Sequence, residues 1–326
     1  MSLDLEAAAA AVRALRPGSK VLLVCHMNPD GDALGSMLGF GQGLKQLFAG
    51  PVQATFPGPL SVPEPLRMPG MELLVPQEQA FAEPDLLVTF DAASTGRLGE
   101  LAGRLDTAPV SIVLDHHASN SGFGKLRLVD PGAAATAVVA AHLLEELGVI
   151  FDKGIAECLY IALVTDTGSF KFDLTTPEVH QLAARLVETG ISVGEISRRI
   201  FDTRPFGAVK LFGEVLGRAS LDPSAVRGLG LVTAVATLDD LERHAQPPYV
   251  LEALIDSVRC TAEADVACLL KQVTSDEWAV SLRSKGGADV SEVAVALGGG
   301  GHKLAAGFTG KGTAEDVISA VRMILG

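Results

Sequence analysis

The chain has 326 residues, 48 % hydrophobic and 20 % charged, enough apolar material for two domains with cores of their own. No apolar stretch reaches the roughly 18 residues of a membrane span, and the acidic start Met1-Ser2-Leu3-Asp4-Leu5-Glu6 lacks the basic region of a signal peptide. A net charge of −13 argues against a broad basic surface for long duplex DNA, and leaves a short or small anionic substrate met by metal cations and a few local basic residues.

In chain order, residues 3–15 read as a helix, 20–25 as a strand and 33–48 as a second helix. Residues 57–76, rich in Pro and Gly, read as an ordered surface loop. Short apolar runs at 86–90 and 110–114 read as strands, followed by helices at 134–147, 154–165 and 176–188. Strands alternating with helices predict an α/β domain with a doubly wound, mainly parallel sheet, whose ligand crevice lies outside the strand carboxyl ends. A helical stretch at 193–218, broken around Thr203-Arg204-Pro205, reads as a connector. Beyond it the pattern changes, with strands at 229–235, 264–271 and 278–282 and helices at 237–244, 248–258, 289–297 and 314–324. The expected organisation is a first domain over 1–190, a helical linker over 191–215 and a smaller α/β domain over 216–326. Cys25, Cys158, Cys260 and Cys268 show no CxxC spacing and each lies in or beside an apolar run, which reads as buried free thiols in a reducing cytoplasm.

Acidic and imidazole side chains stand just past these apolar runs: His26-Met27-Asn28-Pro29-Asp30-Gly31-Asp32, then Asp91, Asp115-His116-His117, and Asp166. One Asp after a strand is usually a cap or a turn residue. The whole series, in this order, is better explained by a two-metal site, because close carboxylates need cations between them. His26, Asp30, Asp32, Asp91, His116 and Asp166 are the candidate ligands, a donor set that suits Mn2+ and also Mg2+ or Co2+. Gly31 is expected to permit a tight bend, and Asp91 to bridge two ions whose shared water becomes a hydroxide nucleophile. His117 is the candidate general acid for the leaving oxygen, and Asp115 the candidate acceptor that orients one of the two histidines. His142, His180 and His244 read as surface or packing histidines.

A second segment, Gly298-Gly299-Gly300-Gly301-His302-Lys303, offers bare backbone N–H groups that could form an anion nest. Upstream, Ser281-Leu282-Arg283-Ser284-Lys285 places Arg283 where it could grip a phosphate bidentately. The glycine run is not a P-loop, since Gly-x4-Gly-Lys-Ser/Thr is absent, and Gly39, Gly41 and Gly43 read as tight helix packing.

These motifs together resemble the DHH phosphoesterase superfamily, with an N-terminal DHH domain and a C-terminal DHHA1 domain, over nearly the whole chain. Within it the layout resembles the bifunctional oligoribonuclease and 3′-phosphoadenosine 5′-phosphate phosphatase (nanoRNase) subfamily. The resemblance implies a mainly parallel sheet of about five strands, a smaller mixed-sheet domain and an active-site cleft between them. It implies two manganese ions on His26, Asp30, Asp32, Asp91, His116 and Asp166, and His117 acting on the leaving group. Arg283, Ser284, Lys285, Gly299, Gly300, Gly301 and His302 would hold substrate. The substrates implied are short single-stranded RNA or DNA oligonucleotides and phosphoadenosine phosphate, with a homodimer possible. Other substrates of the same superfamily, namely cyclic di-AMP, its linear product or inorganic pyrophosphate, stay open, as does a nucleotide sensor without catalysis.

Overall fold

The computed structural model describes residues 4–326, so Leu3, the first residue of the expected opening helix, lies outside it. The chain divides into two units between Asp202 and Thr203, inside the stretch read as a connector.

The first unit opens with α1 (Leu5–Arg13), β1 (Val21–Cys25), α2 (Gly31–Leu47) and β2 (Val52–Thr55). Then come β3 (Leu86–Phe90), the one-turn α3 (Arg104–Thr107), β4 (Val110–Asp115) and β5 (Leu126–Val129). Helices α4 (Thr136–Glu146), α5 (Lys153–Asp166), α6 (Pro177–Glu188) and α7 (Val193–Ser197) complete it. All five strands are parallel, in the order β2-β1-β3-β4-β5. Every residue of β1 and of β3 is buried, as expected of strands covered on both faces. Alternate residues serve opposite layers: Val21, Leu23 and Cys25 join the core under α1, α2, α4, α5 and α6. Leu22 and Val24 join a smaller core with Leu98, Leu101 and Ala108, from the 3-10 segment Thr95–Gly103 and the residue after α3. Strand order reverses between β1 and β3, and such a switch point is where open α/β sheets open a ligand crevice at their carboxyl ends.

The glycines of α2 do bring helices close. A Cβ on Gly35 would lie 2.4 Å from the backbone oxygen of Cys158 in α5, and one on Gly43 would lie 2.5 Å from Leu144 in α4. Gly31 has the same role: a Cβ there would meet the Thr165 side chain at 2.4 Å, and its φ is not left-handed. The expectation of a glycine bend at Gly31 is therefore replaced by one of close approach between the start of α2 and the end of α5. Residues 57–76 hold two 3-10 turns, with Met68 and Leu73 buried.

The second unit contains α8 (Phe206–Gly217), β6 (Ser220–Asp222), the short turn α9 (Ala225–Gly228), β7 (Leu231–Ala236) and α10 (Leu238–Arg243). It continues through α11 (Leu254–Arg259), β8 (Val266–Gln272), β9 (Glu277–Ser284), α12 (Val290–Ala296), β10 (Gly300–His302), β11 (Ala305–Lys311) and α13 (Ala314–Leu325). Its six strands form one mixed sheet, ordered β10-β11-β9-β8-β7-β6, in which only β7 and β8 pair in parallel. Helices α12 and α13 pack on one face, and α8, α10 and α11 on the other. The stretch expected as a helix from 248 begins as a 3-10 turn, Pro248–Ala253, and turns α-helical at Leu254. Three of the four cysteines are buried free thiols, but Cys260, the residue after α11, is exposed.

Candidate metal centre

Asp30 caps α2, its Oδ1 accepting from the backbone N–H of Asp32 (3.1 Å) and of Ala33 (3.0 Å), while its other oxygen faces His26. His26 follows β1 directly, and Asp91 follows β3 with a left-handed φ of 55°. An Asp tolerates that conformation better than most side chains, and strain of this kind gathers at functional sites. Asp115 is the last residue of β4, His116 and His117 come next, and Asp166 ends α5. The fold thus delivers every candidate of the first unit to one end of the sheet.

The distances show how closely they gather. Nε2 of His26 lies 3.4 Å from Asp91 Oδ2 and 3.9 Å from Asp30 Oδ2. Nε2 of His116 lies 3.2 Å from Asp166 Oδ2, 3.5 Å from Asp91 Oδ1 and 3.8 Å from Asp32 Oδ2. His26-Asp30-Asp91 and Asp32-Asp91-His116 each bring three donor atoms within 4.8 Å of one another, and Asp91 belongs to both groups.

A cation fits between them on physical grounds. Nδ1 of His116 faces the carbonyl of Ala133 (3.1 Å) and Nδ1 of His26 faces that of Met27 (2.8 Å). A proton assigned to Nδ1 of His116 by its acceptor leaves the lone pair of that neutral ring on Nε2, pointing at carboxylates. Such a pairing is repulsive unless a proton or a metal lies between. At His26 of the metal-free site a proton is favoured there. Burial works to lower the pKa of His26, but the hydrogen bond to Asp91 and the charge of Asp30 outweigh it and raise it. Burial first, then the charges of Asp91, Asp166 and Asp30, push Asp32 well above the usual carboxylate range. Burial also lifts Asp166 to about 7, although His116 pulls it down. Asp91 goes the other way: burial raises it, and the hydrogen bond from His26 with the three imidazoles beside it brings it well below that range. Carboxylates so crowded are satisfied by coordinating cations.

Asp115 stands slightly apart. Its Oδ1 faces Nδ1 of His117 at 2.8 Å and its Oδ2 accepts from Asn120 Nδ2 at 2.6 Å, so Asp115 orients His117 and not His116.

In the second unit, side chains alternate along β9. Trp278, Val280, Leu282 and Ser284 face the core under α12 and α13, while Arg283 points to the opposite face. Ser284 is 2 % exposed and donates to Asp265 Oδ2 (2.8 Å), so its expected contact with substrate is corrected to an internal hydrogen bond. Lys285 is exposed and its Nζ reaches the carbonyl of Thr261. The glycine run is also not an open loop. Gly300, Gly301 and His302 form the edge strand β10, paired with Gly307, Ala306 and Ala305 of β11. A Cβ on Gly299 would lie 2.1 Å from the carbonyl oxygen of Gly307, and one on Gly301 2.6 Å from that of Ala305, so these glycines permit backbone to pack on backbone. The register sets His302, Ala305 and Arg283 in one row across three strands, with Gly300, Gly307 and Ser281 in the next row. These rows set small residues beside an imidazole and a guanidinium.

Two family models match the chain. Residues 20–163 match the model of the DHH family N-terminal domain, and residues 233–326 match that of the DHHA1 domain. The bifunctional oligoribonuclease and PAP phosphatase NrnA of Thermus thermophilus is 33 % identical over 317 residues, covering 93 % of this chain and 89 % of its own. The chain belongs to the DHH phosphoesterase family. As a member of it, the protein is a hydrolase acting on phosphoester bonds. The protein of the same name from Bacillus subtilis is 25 % identical, covering 91 % of each chain. An exopolyphosphatase-related protein from Bacteroides fragilis shares the fold, with a TM-score of 0.85 at 23 % identity over 98 % of this chain and 95 % of its own.

Sequence reasoning missed three side chains of this DHH site. Thr136 Oγ1 donates to Asp91 Oδ1 (2.9 Å), an Arg97 guanidinium nitrogen lies 3.0 Å from Nδ1 of His26, and Asn120 holds Asp115. Thr136 stands in Ala133-Ala134-Ala135-Thr136-Ala137, which carries only a helix signal. Arg97 lies in the 3-10 segment Thr95–Gly103 and Asn120 in a loop, neither of which the sequence pattern singled out.

Proposed function

We propose that the protein hydrolyses very short oligoribonucleotides to mononucleotides and 3′-phosphoadenosine 5′-phosphate to AMP, with two divalent cations, Mn2+ in preference to Mg2+ or Co2+. The observation that carries this reading is the pair of three-donor groups sharing Asp91. Relatives named as oligoribonuclease and PAP phosphatase, matched along nearly their whole length, support the choice of substrate. His26, Asp30, Asp32, Asp91, His116 and Asp166 would hold the cations. When bound, these would neutralise charge on phosphoryl oxygens and acidify a water molecule.

The protein's own groups would do the rest. His117, held by Asp115 and raised to about 9 in the metal-free site, would give its proton to the leaving oxygen. Arg283 would grip a terminal phosphate, with His302 in the same row and Gly300 on the same face leaving room for a nucleotide, while Gly299 and Gly301 let the strand approach its neighbour closely. Lys285 would add positive charge nearby in the chain. A net charge of −13 restricts this basic character to one patch, which suits short single strands in the cytoplasm and not long duplex DNA.

The test is turnover, with Mn2+, of a 5′-phosphorylated RNA dinucleotide beside a long oligoribonucleotide, phosphoadenosine phosphate and pyrophosphate. Rapid loss of the dinucleotide and of phosphoadenosine phosphate, with the long strand slow, is expected. Fast pyrophosphate cleavage beside an inert dinucleotide would overturn the substrate assignment.

A further inference from the structure

The segment 133–137, which leads into α4, touches three candidate ligands from three different elements. The carbonyl of Ala133 faces Nδ1 of His116 at 3.1 Å. The backbone N–H groups of Thr136 and Ala137 donate to Asp32 Oδ2 (2.6 Å) and Oδ1 (3.0 Å). The hydroxyl of Thr136 donates to Asp91 Oδ1 at 2.9 Å. Asp32, Asp91 and His116 are the members of one donor group, and Asp91 also belongs to the other. Thr136 and Asp32 are both fully buried, so water cannot replace these donors.

We propose that Thr136 is a positioning residue for one half of the metal centre: it addresses Asp32 through its N–H and Asp91 through its hydroxyl. Asp91 is the carboxylate common to both donor groups, with Oδ2 toward His26 and Oδ1 toward His116. A hydroxyl donor on Oδ1 fixes the plane of this carboxylate, so that each oxygen faces its own half-site. The helix start adds its positive end to Asp32, whose charge burial disfavours. Loss of the hydroxyl frees rotation of the Asp91 carboxylate and leaves Oδ1 without its closest donor. Because the lost donor sat on Oδ1, the His116 half-site then loses the most affinity, while His26 and Asp30 remain in place to hold the other half.

This inference rests on the two-cation reading, and the experiment separates the two. Mn2+ is titrated into the metal-free full chain by calorimetry, and the loaded protein is examined by electron paramagnetic resonance, for wild type, Thr136→Val and Thr136→Ser. The wild type is expected to bind two ions and give a spin-coupled pair signal. Thr136→Val is expected to keep one tight ion, to weaken the second roughly ten- to a hundred-fold, and to show the signal of isolated Mn2+. Thr136→Ser, which restores the hydroxyl, is expected to bring back the coupled signal. Circular dichroism establishes folding, and Thr136→Ala takes the place of the valine variant if the latter does not fold. A valine or alanine variant with two wild-type affinities and a coupled signal overturns the role of Thr136. So does a serine variant as impaired as valine. A wild type that takes up no Mn2+ overturns the metal centre itself, and this inference with it.

Discussion

His117 and Asp115 form the shortest contact between a histidine and a carboxylate in the centre among the described residues, Nδ1 to Oδ1 at 2.8 Å. Burial alone would lower the pKa of His117, but the hydrogen bond to Asp115 and the charges of Asp91, Asp115 and Asp166 raise it to about 9. Asp115→Asn is expected to bring the His117 titration of the metal-free protein back toward 6.5, read by NMR. His117→Ala is expected to lower kcat roughly a hundred- to ten-thousand-fold with little change in metal affinity. A wild-type midpoint at or below 6.5 would sink the assignment of His117 as the acid.

The same residues make stability depend on pH. A group whose pKa is raised on folding stabilises fully below its unfolded pKa, and that contribution is lost as pH rises through the folded value. For Asp166 the window runs from the ordinary 3.8 to about 7, and for His117 from 6.5 to about 9. Between about pH 4 and 9 these two groups are therefore expected to make the metal-free protein less stable as pH rises, while Asp91, whose pKa is lowered, acts in the opposite sense at more acid pH. Added Mn2+ should displace those protons and stabilise the protein more at pH 8 than at pH 6. Denaturant unfolding with EDTA or Mn2+ at both values checks this, and an equal gain at the two would count against it.

Gly35→Ala tests how the centre depends on helix packing. Its Cβ would meet the backbone oxygen of Cys158 at 2.4 Å, which a side-chain rotation cannot relieve. A cost of about 1–3 kcal/mol is expected from overpacking of this kind. Because α2 begins beside Asp30 and Asp32 and α5 ends at Asp166, Mn2+ affinity should fall along with stability. Denaturation midpoints and Mn2+ titration together decide it, and an unchanged affinity would show that the ligands are set locally.

Much of the fold was legible because buried strands carry a strong signal. The runs that became β1, β3 and β4 are wholly or almost wholly buried, and their apolar composition announced them. Strands β2 and β5 flank them at the sheet edges, are four residues long and only partly buried, and went unread. The glycine strand β10 was hidden for another reason: its residues have low strand propensity, and only their partner β11 makes them a strand. In the centre, side chains of the right chemistry announced themselves by type and order. Thr136 and Arg97 did not, since their importance lies in partners far away in the chain. Ser284 was misread because it was grouped with its neighbour Arg283, although alternation along β9 turns the two to opposite sides.

That alternation yields a paired prediction. Arg283→Gln is expected to raise KM for phosphoadenosine phosphate roughly ten- to a hundred-fold, with the melting temperature kept. Ser284→Ala is expected to leave KM alone and to cost about 1–2 kcal/mol of stability, since Asp265 and the N–H of Gly286 each lose a partner. Steady-state kinetics and thermal unfolding of the two variants, side by side, give the answer; exchanged phenotypes would reverse the assignment of the two faces of β9.

The donors of the centre are scattered from His26 to Asp166, so a cation held there would act as a reversible cross-link across most of the first unit. Cross-links that close long loops restrict the unfolded chain most. Synthesis adds an order to this: with residues up to 117 made, the set still lacks Asp166, which arrives only with the last residue of α5. A nascent chain could thus gather partial donor sets early, yet complete the ring of ligands only after α5 has folded against α2.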